Sequence, residues 1–96
     1  MSTSTPLRVD RVYIPSGAAI RYLREKAGLR VEGLAEMADL SASALYNIEA
    51  GRQSPSATTL AKLCAALTAA LRKTDPTAEV TPNDLYLVHD RTVAGE

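Results

Sequence analysis

The chain has 96 residues, eleven Lys/Arg against eleven Asp/Glu, and a single cysteine, Cys64. That length allows one domain with one modest core, and one cysteine excludes an internal disulfide and points to a reduced, cytoplasmic setting. No stretch approaches the roughly 18 apolar residues of a membrane span, and MSTSTPLRVD lacks the basic-then-apolar order of a signal peptide.

Residues 1–6 read as a flexible start, within an arm over 1–15. LRVDRVYI, residues 7–14, is rich in β-branched residues and reads as a short strand or an extended arm. Pro15-Ser16 is a helix entry with Ser16 as N-cap. Ile20, Leu23 and Ala27 then recur at spacings of three and four, which predicts a helix over about 17–27, ended by Gly28. Leu34, Ala35 and Ala38 mark a second, short helix over about 31–38, and Asp39 stands where the chain must turn. Ser41 caps a third helix over about 42–50, ended by Gly51. Ser56 caps a fourth, whose stripe is Leu60, Leu63, Cys64, Leu67 and Leu71. Cys64 inside that stripe reads as a buried, inert thiol. Thr74-Asp75-Pro76 breaks the helix, and Thr81-Pro82 starts a short fifth one, with Asn83 and Asp84 in its first turn. The tail from His89 to Glu96 is polar, either a short strand or disordered.

Good helix formers dominate and aromatics are scarce, with four Tyr and no Phe or Trp, so the expected class is all-α. The expected core is Ile20, Leu23, Leu34, Ala35, Leu45, Ile48, Leu60, Leu63 and Leu67. The zero net charge is not the usual look of a nucleic-acid binder, but the charge is uneven. Residues 1–30 carry six cations against two acids, 53–73 three cations and no acid, and 74–96 one cation against five acids. A neutral total can hide one basic face.

Two short helices joined by Asp39-Leu40-Ser41 form a helix-turn-helix pattern. The turn is too short for side-by-side packing, so the helices cross steeply. Small Ala35 and Ala38 admit the close approach, and Leu40 and Leu45 fill the corner. The third helix is unusual in its outer face. Beside the apolar Leu45 and Ile48 it carries Ala42, Ser43, Tyr46 and Asn47, side chains that are small or able to hydrogen-bond.

At this point GLRVEGLAEMADLSASALYNIEAGRQSPSATTLAKLCAAL, residues 28–67, resembles the phage repressor and Cro-like helix-turn-helix family, the XRE type of DNA-binding regulator. The matching elements are Leu23-Arg24, Gly28-Leu29, Leu34-Ala35, Ser41, Leu45, Ile48-Glu49, Gly51-Arg52, Pro55, Leu60 and Leu63. The resemblance runs over roughly 17–71, with a weaker echo at 80–87. It implies a five-helix, lambda-repressor-like domain over 16–88, flanked by short extended segments, with a polar tail over 89–96. It also implies that the third helix enters the DNA major groove while the second crosses the backbone. Ala42, Ser43 and Asn47 then fall at base-contacting positions, with Tyr46 on the same surface. Asn can bond adenine twice, Ser either base type, and Ala can touch a thymine methyl. Arg30 and Arg52 are the phosphate candidates. Arg30 opposes the dipole at the start of the second helix, a clash that a docked phosphate would offset. Glu49 pairs with Arg24 in the family, a structural tie between the first and third helices.

Three features depart from the family pattern. Val31 stands where a backbone-binding Gln is common. Gly33 stands where a helix former is common, at a cost of roughly 0.5–1 kcal/mol. The 72–80 loop is longer than usual.

Enzyme readings find no support: lone His89 has no ligand set, and there is no phosphate loop or nucleophile elbow. No cofactor is implied. The expected function is therefore a sequence-specific double-stranded DNA-binding transcriptional regulator, a repressor of phage or mobile-element type acting as a homodimer. The alternative is a protein-interaction module, an antitoxin or complex subunit, whose partner binds the flanks or whose flanks pair across chains into a dimerising sheet.

Overall fold

Three serines begin three of the helices. In the computed structural model, which describes residues 8–93 and the side chains of 14–86, the Ser16 hydroxyl accepts from the Ala19 N–H at 3.1 Å, Ser41 from Ala44 at 3.0 Å, and Ser56 from Thr59 at 3.1 Å. Each cap satisfies one donor that a helix start leaves without an intrahelical partner. The helices are α1 (Gly17–Lys26), α2 (Val31–Met37), α3 (Ala42–Glu49) and α4 (Ala57–Leu71). Residues 1–7 and 94–96, including the start read as flexible and the end of the tail, lie outside the described residues.

The fifth predicted helix is a single 3-10 turn, Pro82–Leu85. The Asp84 carboxylate accepts from the Thr81 N–H at 2.8 Å and from its hydroxyl at 3.1 Å. The cap forms as the sequence suggested, but only four residues separate it from the next strand, too few to propagate an α-helical ladder.

The flanks pair with each other. Strands β1 (Arg8–Pro15) and β2 (Tyr86–Val93) form an antiparallel ribbon in register from Arg8↔Val93 to Pro15↔Tyr86. At its base the Ser16 N–H donates to the Leu85 carbonyl at 2.7 Å, joining the ribbon to the helices. The pairing lies within one chain, where the sequence left open a sheet between chains. The class is all-α with this one ribbon.

The core is Ile20, Val31, Leu34, Ala35, Ala38, Leu45, Ile48, Leu60, Leu63, Cys64, Ala66, Leu67, Leu71, Val80 and Leu85. Leu23, expected in it, is only half-buried and packs against its edge. Val31 is in the core at 6 % exposure, so the residue that departs from the family pattern serves packing. Burial, and then the Asp84 charge, push the Cys64 thiol up from its ordinary pKa, consistent with an unreactive group. The long 72–80 loop is tied locally. Arg72 Nε donates to the Ala78 carbonyl at 2.7 Å, and the Val80 N–H donates to Thr68 Oγ1 at 2.9 Å. The Asp75 carboxylate accepts from the Thr77 hydroxyl at 2.7 Å and its N–H at 3.0 Å, which holds it below the usual carboxylate range. These bonds deliver Val80 and Leu85 to the bottom of the core.

Two glycines differ sharply in what they do. A Cβ on Gly17 would fall on the carbonyls of Ile48 and Glu49, so α1 starts directly against the end of α3. Gly17→Ala should therefore cost at least the ~1–3 kcal/mol of an overpacked contact, because the obstacle is backbone and cannot rotate away. Gly33 has no such reason: a Cβ there meets only Leu29 Cδ2 at 3.9 Å. Gly33→Ala should raise stability by about 0.5–1 kcal/mol through helix propensity. Urea denaturation of the two variants checks both signs.

Candidate nucleic-acid interface

The turn between α2 and α3 depends on one left-handed residue. Asp39 has φ 57°, and there the N–H of Leu40 donates to the Ala35 carbonyl at 2.8 Å. This terminates α2 and redirects the chain into the Ser41 cap within three residues. Ala35 and Ala38, each 2 % exposed, set the close approach of α2 and α3. Leu45, 0 % exposed, fills the corner, with Leu40 half-buried beside it.

Helix α3 is thereby anchored on Leu45 and Ile48 and turned outward elsewhere. Ser43 and Tyr46 are exposed, Tyr46 to 52 %, and Asn47 is half-buried. Ala42 is half-buried and packs against the core, so less of it faces outward than its position in the sequence suggests. Serine and asparagine four apart share one helical face, with tyrosine three from serine on the same side.

Arg24 and Glu49 meet in a two-pronged pair. Arg24 Nε donates to Glu49 Oε2 at 2.7 Å and Nη2 to Oε1 at 3.0 Å, while Nη1 donates to the Leu29 carbonyl at 2.9 Å. The side chains are 11 % and 7 % exposed. The hydrogen bond to Glu49 raises the Arg24 pKa above its ordinary value. One guanidinium thus ties together α1, the α1–α2 link and the end of α3.

That pair floors a cleft of about 570 Å³ whose lining includes Arg21, Arg30 and Tyr46. Arg30 is exposed and caps α2 with no side-chain hydrogen bond to the helix. The structure thus brings Arg30 and Tyr46 to one opening. Arg21, which the sequence reading did not single out, lines the same cleft, with its Nε 3.4 Å from Glu25 Oε2 across an exposed pair. Its position one turn before Arg24 was the available signal.

Arg52 does not stand apart from α3. Gly51 takes φ 79°, a conformation that suits glycine, and turns the chain back over the helix end. The N–H groups of Arg52 and Gln53 both donate to the Asn47 carbonyl, at 2.8 and 3.1 Å. Arg52 Nε then donates to Asn47 Oδ1 at 3.0 Å. The residue assigned to phosphate and the residue assigned to bases are joined by a hydrogen bond.

Among the described residues, no helix is long and apolar enough to cross a membrane. The fold matches that of the restriction-modification controller protein C.AhdI from Aeromonas hydrophila, at 29 % identity and a TM-score of 0.59, over 72 % of this chain and 88 % of that one. It also matches the clp gene regulator ClgR from Corynebacterium glutamicum, at 39 % identity and a TM-score of 0.52, over 53 % of this chain and 54 % of that one. A second ClgR structure matches at the same identity and TM-score, with 65 % of its chain covered. No curated protein matched the sequence. The family model described as a helix-turn-helix domain matches residues 17–75, from the first residue of α1 to beyond the end of α4. With the α2–α3 turn at Asp39 and the anchors on either side of it, this match shows that the chain belongs to the helix-turn-helix family.

Proposed function

We propose that the chain is a sequence-specific double-stranded DNA-binding transcriptional regulator, a repressor of phage or mobile-element type, that reads the major groove with α3. The observation that carries this is the division of α3. Leu45 and Ile48 hold it to the core, while Ser43, Tyr46 and Asn47 remain at its accessible surface. Short polar side chains on a firmly seated helix can approach base edges closely and bond to them. Ala42 completes the base-contacting set at its start. Arg30 and Arg52, exposed at the start of α2 and just after α3, supply phosphate contacts. C.AhdI is named as a controller protein and ClgR as a gene regulator, which supports regulation as the role.

One such helix covers only a few base pairs, so the active species is a homodimer whose two α3 helices sit about 34 Å apart in successive major grooves. A second reading, a protein-interaction module, draws on the ribbon: among the described residues each strand is bonded on one side only, and an open strand edge can accept a partner's strand.

The test is selection from a randomised duplex library followed by salt titration. The chain should enrich a two-fold symmetric site and bind it in preference to random duplex. Arg30→Ala should weaken both kinds of duplex alike and lower the salt slope by about one unit, the loss of one phosphate contact. Failure to enrich any sequence, with no duplex bound at low salt, would replace this reading with the protein-interaction one.

A further inference from the structure

The bond between Arg52 and Asn47 changes what Asn47 can read. A guanidinium carries only N–H donors and no acceptor. The Asn47 atom facing Arg52 Nε at 3.0 Å is therefore the amide oxygen, which fixes the orientation of the amide. Main chain supports the arrangement: the left-handed Gly51 and the two N–H bonds of Arg52 and Gln53 to the Asn47 carbonyl place Arg52 beside the last turn of α3. Asn47 is half-buried while Arg52 is exposed, so the pair has one packed and one solvent-facing member.

Free asparagine can present an acceptor and a donor side by side, the pattern that matches the N6 amine and N7 of adenine. With its oxygen held by Arg52, Asn47 presents its NH₂ group, two donors. Arg52 takes one of that oxygen's two lone pairs, so an approaching adenine amine would have to use the other with the positive guanidinium beside it. Guanine offers two adjacent acceptors in the major groove, O6 and N7, and no donor there. We infer that Asn47, with its amide oriented by Arg52, reads a guanine and not an adenine at one position in each half-site. This rests on the reading of α3 as the base-contacting helix. Arg52 is then a positioning residue for Asn47 through Nε, and its two Nη groups stay available to a phosphate.

The experiment uses the full chain and the duplex it selects from the randomised library. Each guanine of the half-site is replaced in turn by adenine, and by 7-deazaguanine, which lacks the N7 acceptor. One guanine should emerge at which either replacement weakens binding about tenfold or more. Asn47→Ala should be indifferent to both replacements at that position. Arg52→Ala should lose the preference for guanine over adenine there, because the freed amide can turn to match adenine. Circular dichroism confirms that both variants remain folded. An Arg52 that served phosphate alone would weaken all duplexes equally and leave the guanine-to-adenine ratio unchanged, which would overturn the proposal. So would an adenine at the Asn47-dependent position in the parent's selected site. A different failure marks the underlying reading: if Asn47→Ala and Arg52→Ala both bind every duplex as the parent does, α3 is not the base-contacting helix.

Discussion

Arg24→Ala is expected to destabilise the protein by about 3 kcal/mol, near the low end for breaking a buried pair because Arg24 keeps a little contact with water. The loss has two parts. Glu49 would keep a carboxylate at 7 % exposure with neither of its Arg24 donors, and the Leu29 carbonyl would lose its Nη1 bond. Both are costs of leaving a desolvated group unpaired. Replacing both members with apolar residues of similar volume should recover much of the loss, since neither charge is then left alone. Glu49→Gln should be milder than Arg24→Ala, because its amide oxygen can still accept one of the two guanidinium bonds. Urea denaturation of the single and double variants measures each step. In all of them stability should fall before sequence preference shifts. A variant with parental stability and altered preference would show instead that the pair belongs to the recognition surface.

Leu45→Ala should cost about 2–5 kcal/mol, the range for a fully buried leucine truncated to alanine. The upper half of that range is expected. Helix α3 has eight residues and only two buried anchors, and Leu45 fills the corner where α2 and α3 cross. The neighbouring residues on that side, Ala35 and Ala38, are too small to fill the cavity. At roughly 4–8 °C per kcal/mol for a domain of this size, the melting temperature should drop by well over ten degrees. An unchanged melting temperature would mean that the packing at the crossing has been misread.

The helix starts were legible because their causes are local. Ser16, Ser41 and Ser56 each bond an N–H three residues on, and a hydroxyl before an apolar stripe is visible in the string. Gly28 and Gly51 end α1 and α3 for the same reason, and both take positive φ. Long-range features were hidden. Val80 and Leu85 join the core only because the 72–80 loop is folded back by Thr68 and Arg72, and no periodicity announces that. Gly17 looks like an ordinary first-turn glycine until the carbonyls of α3 are placed against it. The β-branched residues of the N-terminal flank signalled extended chain, but not which strand they would meet. At the candidate site, spacing and family resemblance place Ser43, Tyr46 and Asn47 at the accessible surface of α3, as found, but do not give the packing of Ala42 against the core. Nor do they give the bond from Arg52 to Asn47, because it depends on the direction in which Gly51 sends the chain.

The ribbon also imposes an order on folding. Its rungs join positions about seventy or more residues apart, while the α2–α3 crossing joins neighbours in sequence. Closing so large a loop has an entropic cost that must be met before any rung can form, unless intervening chain has already condensed. Once the helices are assembled, Ser16 and Leu85 stand side by side and the remaining closure is short. The ribbon should therefore zip from its base outward as a late event, with its far rungs the first to exchange their amide hydrogens in the native state, an order that hydrogen exchange would check. The α2–α3 crossing and the strand pairing should thus occupy opposite ends of the folding order, with α3 seated before the ribbon closes.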